Sequence, residues 1–98
     1  MGFQEEIWGL LKEIPEGRVT TYKVIAEKLG TKAYRAVGNA CNKNPFAPKA
    51  PCHRVVNSDG RIGGFASGTE KKIELLKKEG IDIQGNKIKD MDKILFRF

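Results

Sequence analysis

The sequence predicts a mainly α domain of the winged-helix-like, helix-turn-helix type with a small β-hairpin. Apolar residues recur at helical spacing in four separate stretches, and two of those stretches meet at a short glycine-containing turn. The C-terminal tail instead alternates apolar and polar residues around Gly85-Asn86, the pattern of paired strands. Ninety-eight residues with 40% hydrophobic content are enough for one core and too few for two, so a single domain over 1–98 is expected, without an N-terminal accessory domain.

Phe3, Ile7, Leu10, Leu11 and Ile14 fall at offsets of four, seven, eight and eleven, one face of a helix, and Pro15 with Gly17 ends it. After the Arg18-Val19 link, Thr20 or Thr21 can cap a second helix, since a hydroxyl there accepts from an otherwise unpaired backbone N–H. Tyr22, Ile25, Ala26 and Leu29 share a face of that helix, and Gly30 stops it. Thr31 and Lys32 lead into a third helix with Ala33, Ala36, Val37, Ala40 and Cys41 inward, closed by Pro45. The second and third helices with their tight turn form the helix-turn-helix pattern, in which the later helix enters a DNA groove. Helical hairpins of this length are also common in proteins that bind no DNA, so the spacing alone leaves function open.

From Asn44 to Pro51 three prolines deny the chain ladder hydrogen bonds, which predicts an irregular loop that delivers Cys52 at its end. Arg54-Val55-Val56 and Arg61-Ile62 flank the turn Asn57-Ser58-Asp59-Gly60 and predict a small hairpin, broken by Gly63-Gly64. Ser67-Gly68-Thr69-Glu70 matches a capping box ahead of Ile73, Leu75 and Leu76, with lysines near the end and Gly80 as the stop, predicting a fourth helix. The tail from Ile81 to Phe98 predicts a hairpin or wing and a short closing segment.

Eighteen Lys and Arg against twelve Asp and Glu give a net charge of +6, which suits a polyanionic partner without identifying one. No apolar run approaches the ~20 residues of a membrane span. The acidic N-terminus, with Glu5 and Glu6, is unlike a basic secretory leader, so a cytoplasmic protein without a membrane partner is expected. Cys41 and Cys52 lie eleven apart, too few cysteines for a disulfide scaffold, and reduced thiols are the expectation. A structural zinc site takes about four ligands. One histidine and two cysteines do not supply them, and neither a metal nor an organic cofactor is expected.

The chemistry concentrates at Pro51-Cys52-His53-Arg54. A cysteine attacks as its thiolate, and with an ordinary pKa of roughly 8.5 it needs a base or positive potential nearby. Adjacent side chains usually diverge, so His53 would reach Cys52 through a water or a bent backbone, with a carboxylate orienting the ring. Taken alone, Cys52 reads better as a small buried hydrophobe and His53 as a structural hydrogen-bonder.

The wider string is more specific. Arg35-Ala36-Val37-Gly38, then Asn44-Pro45, then Pro51-Cys52-His53-Arg54-Val55-Val56 with Gly60 and Gly63-Gly64-Phe65 behind it closely resembles the O6-alkylguanine-DNA alkyltransferases, over about Phe3 to Gly80. The resemblance implies that Cys52 is the alkyl acceptor, His53 the water-linked base and Glu79 the carboxylate holding its ring. It implies that Asn44 ties the turn before the active-site loop and that Tyr22 hydrogen-bonds the guanine. Each has a plainer reading: helix-end charge for Glu79, a helix stop for Asn44, core packing for Tyr22.

The resemblance also implies that Arg35 fills the space vacated by a flipped base, and that Ala36, Gly38 and Ala40 keep the recognition helix slim enough for the minor groove. Val55, Gly63, Gly64, Phe65, Ala66 and Ser67 would form the pocket wall, with Phe65 standing where many relatives carry tyrosine. The expected partner is double-stranded DNA carrying O6-alkylguanine, bound by a monomer that reacts once. Two alternatives stand beside this reading. Alkyltransferase-like proteins of about this size bind the same lesions and recruit another pathway, but have a residue other than cysteine at the acceptor position. A helix-turn-helix regulator would read base edges with Asn39, Asn42 or Lys43, and leaves the Cys52 motif unexplained.

Overall fold

The computed structural model describes residues 2–43, 51–63 and 68–98. Its elements are α1 (Phe3–Leu11), β1 (Thr20–Thr21), α2 (Tyr22–Lys28), α3 (Tyr34–Asn42), β2 (Val55–Val56), α4 (Thr69–Lys78), β3 (Ile83–Gln84), β4 (Lys87–Ile88) and α5 (Met91–Ile94), with a single 3-10 turn over Cys52–Arg54. The fold is mainly helical with small paired strands, a helix-turn-helix domain as the apolar spacing predicts.

α1 ends at Leu11, yet Ile14 is buried. The chain continues in tightened turns, Glu13 N–H to Leu10 O at 3.0 Å and Ile14 N–H to Leu11 O at 3.2 Å, and these keep Ile14 on the inward face. Of the two candidate caps for α2, Thr21 takes the role: its Oγ1 accepts from Val24 N–H at 3.0 Å. α2 and α4 end alike. Gly30 N–H bonds Glu27 O and Thr31 N–H bonds Ala26 O; Gly80 N–H bonds Lys77 O and Ile81 N–H bonds Leu76 O. Each is a Schellman motif, which needs a left-handed residue just past the helix; Gly30 and Gly80, at φ of 70° and 86°, provide it.

Several expectations are corrected. Val55 and Val56 do not form a hairpin with Arg61-Ile62; β2 pairs in parallel with β1, Thr20 opposite Val55 and Thr21 opposite Val56. The turn itself forms, Gly60 N–H to Asn57 O at 2.9 Å, but Arg61 then bridges to Lys87 and Ile62 N–H bonds Asn86 O. The reason is burial: both valines are 0% exposed, so the strand needs cover on both faces, as parallel strands have. In α3, Val37, Ala40 and Cys41 are buried as expected, whereas Ala33 precedes the first helical turn and is exposed. α4 begins with Gly68 as its N-cap and no side-chain cap bond, one residue later than the capping box requires; Ser67 lies outside the described residues.

Two apolar clusters result. One gathers Ile7, Leu11 and Ile14, Ile25 and Ala26 of α2, Val37, Ala40 and Cys41 of α3, with Cys52 and Val55; Trp8 ties α1 to α3 through Nε1–H to Ala40 O at 2.9 Å. The other holds Val19, Val56, Ile62, Leu76, Ile81 and Ile88. Successive strand residues point to opposite faces, so Val55 enters the first cluster and Val56 the second. The tail adds the expected antiparallel hairpin, Ile83 opposite Ile88, and then returns to Val19, whose carbonyl accepts from Phe96 N–H at 2.7 Å.

Candidate functional site

The 3-10 turn presents Cys52, His53 and Arg54 in succession from the boundary of the two clusters. Its residues lie about a third of a turn apart, so thiol and imidazole leave the backbone in different directions. His53 Nε2 lies 2.8 Å from Glu79 Oε2. Arg54 grips the same carboxylate bidentately, Nε to Oε1 at 2.9 Å and Nη2 to Oε2 at 2.8 Å, and its Nη1 donates to Ile14 O at 2.7 Å. Gly17 N–H adds a longer bond to Glu79 Oε1 at 3.4 Å.

Glu79 is the C-cap of α4, fixed in place by the Schellman turn that follows. Burial by itself would raise its pKa, but the hydrogen bonds from Arg54 and His53 outweigh burial and hold it below the usual carboxylate value. An ionised carboxylate only accepts, so the Nε2 of His53 that faces it carries a proton. Among the described residues no hydrogen bond joins Cys52 to His53, and a proton passing between them would need a bridging water.

Lys72 is 0% exposed, with Nζ 3.5 Å from Tyr22 Oη and 5.8 Å from the ring centre. Burial lowers its pKa to about 8, against the pull of Cys41 and Cys52, which favour the ammonium. Burial pushes the Cys41 thiol up to about 12, helped by Cys52 and opposed by Lys72. Tyr22 is raised too, first by burial and then by the two cysteines. At neutral pH the phenol and the Cys41 thiol therefore keep their protons, and Lys72 is the buried positive charge beside them. Lys72 and Arg54 were not singled out from the sequence. Lys72 left a signal: Thr69, Lys72, Ile73 and Leu76 recur at helical spacing, which places a charged residue on the inward stripe of α4.

An open groove of about 740 Å³ runs along α3, lined by Tyr22, Arg35 and Gly38 on one side and by the Asn57–Asp59 turn on the other. Arg35 is exposed at the start of α3, and Ala36 and Gly38 are half-buried beside it. Ala40, expected on this face, is 1% exposed in the core: its position in the helical repeat puts it with Val37 and Cys41 against α1. Val55 is likewise fully buried, so it backs Cys52 and does not face the groove. Gly63 is half-buried, with its Cα side against Asn57. Asn44, Gly64, Phe65, Ala66 and Ser67 lie outside the described residues. Cys52 is 7% exposed and is not among the groove's lining residues.

Comparison with known proteins places these residues in context. A family model described as "6-O-methylguanine DNA methyltransferase, DNA binding domain" matches residues 2–81. The methylated-DNA--protein-cysteine methyltransferase of Methanosarcina acetivorans is 52% identical over 79 residues, which are 80% of this chain and 51% of that protein. The chain thus spans about half the length of the curated relatives it matches first. The crystal structure of Mycobacterium tuberculosis OGT in complex with DNA superposes with a TM-score of 0.77 at 40% identity, over 81% of this chain and 50% of that one. S. pombe Atl1, in complex with damaged DNA containing O6-carboxymethylguanine, superposes with a TM-score of 0.84 at 28% identity, over 97% of this chain and 94% of that one. With its matched residues running from the first helix past Glu79, the chain belongs to the 6-O-methylguanine DNA methyltransferase family, as its DNA-binding domain.

Proposed function

We propose that this chain repairs duplex DNA by moving an alkyl group, methyl in the simplest case, from O6 of guanine to the sulfur of Cys52, once per molecule. The observation that carries the reading is the 2.8 Å pairing of His53 Nε2 with Glu79, on the same 3-10 turn as Cys52. It supplies the base and its orienting carboxylate that a cysteine nucleophile requires.

In this reaction His53 Nδ1 takes the Cys52 proton through a bridging water, and Glu79 stabilises the imidazolium that forms. The thiolate attacks the alkyl carbon; the S–C bond forms as the C–O6 bond breaks, and the electron pair passes to the guanine. A proton from the Tyr22 hydroxyl neutralises that charge, with the Lys72 ammonium beside it to restore the phenol. The product is a thioether at Cys52 and an unmodified guanine, and among the described residues no group is evidently arranged to cleave the thioether.

The base reaches the thiol by rotating out of the duplex, at a cost of a few kcal/mol. α3 lies in the minor groove as a monomer contact, where Gly38 and Ala36 keep the helix narrow, and Arg35 fills the vacated stack. No metal or organic cofactor takes part. The Cys52→Ala variant tests the reading: it keeps its preference for duplex containing O6-methylguanine and loses transfer. Transfer retained by that variant removes Cys52 from the acceptor role.

A second reading, lesion binding with little or no transfer, draws support from the likeness to S. pombe Atl1, which extends over 97% of this chain and so through the C-terminal hairpin. Cys52 itself favours transfer.

A further inference from the structure

We propose that Tyr34 is an aromatic DNA contact whose ring stacks on a base bordering the gap left by the extruded nucleotide. The inference rests on the minor-groove reading of α3. Among the described residues Tyr34 and Phe3 are the exposed large hydrophobics, at 44% and 37% of their surface; Phe3 stands on α1, whereas Tyr34 lines the groove along α3.

Core packing does not account for the ring. The inward face of α3 is carried by Val37, Ala40 and Cys41, and Tyr34 belongs to neither apolar cluster. As the first residue of α3 it is followed at once by Arg35. Consecutive helical positions diverge by roughly 100°, so the two side chains sweep different directions from one helix end. Both line the same groove, with Tyr22 and Lys23 alongside. One helix end therefore offers a cation for the vacated stack and an aromatic plane for what borders it.

Occupancy by duplex DNA is favoured over a protein partner by the charge of the groove's lining, where Lys23 and Arg35 outnumber Asp59. Stacking is also sequence-tolerant, because every base has a π-face, and a protein that must find a lesion in any context needs that tolerance.

The test is equilibrium binding, in the Cys52→Ala background, to duplex with and without one O6-methylguanine, 2-aminopurine being placed next to the lesion. Tyr34→Ala and Tyr34→Leu raise Kd for the damaged duplex roughly 5- to 100-fold. Tyr34→Phe stays close to the parent value. The salt dependence is unchanged in all three, because no phosphate contact is lost. Bound 2-aminopurine is brighter with the Ala and Leu variants than with the parent or Phe, a signature that a merely structural tyrosine would not produce. Parent-like affinity for Tyr34→Ala, or Leu binding as well as Phe, overturns the proposal while leaving the lesion reading intact. A parent chain with no preference for the damaged duplex overturns both.

Discussion

At Glu79, three donor residues from two parts of the chain converge on one carboxylate, and that convergence sets how the protein responds to acid. Its folded pKa lies below the ordinary value of 4.5, so the folded chain binds this proton less readily than the unfolded one. The stability it contributes is complete above that ordinary value and is lost as pH falls through the depressed one. Glu79→Gln should cost roughly 2–4 kcal/mol near neutral pH, by stranding Arg54, and should flatten the acid limb of Tm against pH. Lys72 gives a slope of the same sign at higher pH, because burial disfavours its charged form. Its folded value of about 8 lies below 10.5, so the folded chain holds fewer protons between those values and stability rises with pH across that interval. Lys72→Met removes a buried cation and should leave thermal stability equal or higher. If the ammonium returns the proton to Tyr22, wild-type transfer should decline as pH rises through about 8. Single-turnover rates for Lys72→Met should then lack that decline and run roughly 100-fold slower. A variant that is more stable yet slower separates function from packing. His53 and Glu79 were legible through a motif that names residue types at fixed separation. Lys72 was not, because the lysines of α4 were read as helix-end charge and its place on the inward stripe went unused.

Helix α3 shows how an element can serve two surfaces at once. Its inward positions pack on α1, and its other side narrows at Gly38, where, among the described residues, an added Cβ would meet only Tyr22 Cε1 at 4.0 Å, an ordinary contact. Gly38→Ala should therefore stabilise the fold by up to about 1 kcal/mol, as glycine leaves a helix interior. The same methyl widens the face proposed for the minor groove, so duplex binding should weaken. Denaturant titration and duplex titration of this one variant read the two effects separately, and unchanged DNA affinity would deny Gly38 its groove role. The helices were legible because their signals are local: apolar spacing, Thr21 as cap, Gly30 and Gly80 as stops. β2 was not, since the turn at Asn57–Gly60 looks like a hairpin turn whichever strand Val55 and Val56 go on to join. Only the burial of both valines selects Thr20–Thr21 as the partner, and burial on two faces is a tertiary property.

Over the whole molecule, the two apolar clusters meet at Val55 and Val56, directly after the turn that carries Cys52, His53 and Arg54. The first cluster brings α3 and its groove; the second brings α4, which ends in Glu79 and is closed by the C-terminal hairpin. The candidate thiol, base and carboxylate thus sit where the helix-turn-helix half joins the wing half, and neither half alone supplies all three. Charge and composition suit a polyanion without specifying one; the motif around Cys52 is what carries the proposal of alkylated DNA. The most direct measurement is intact-mass analysis of the chain after incubation with a duplex containing a single O6-methylguanine, beside an undamaged control. A gain of one methyl group, mapped to Cys52, is expected with the damaged duplex only. An unchanged mass in a chain that still binds the damaged duplex more tightly than the control would contradict transfer and leave a lesion sensor.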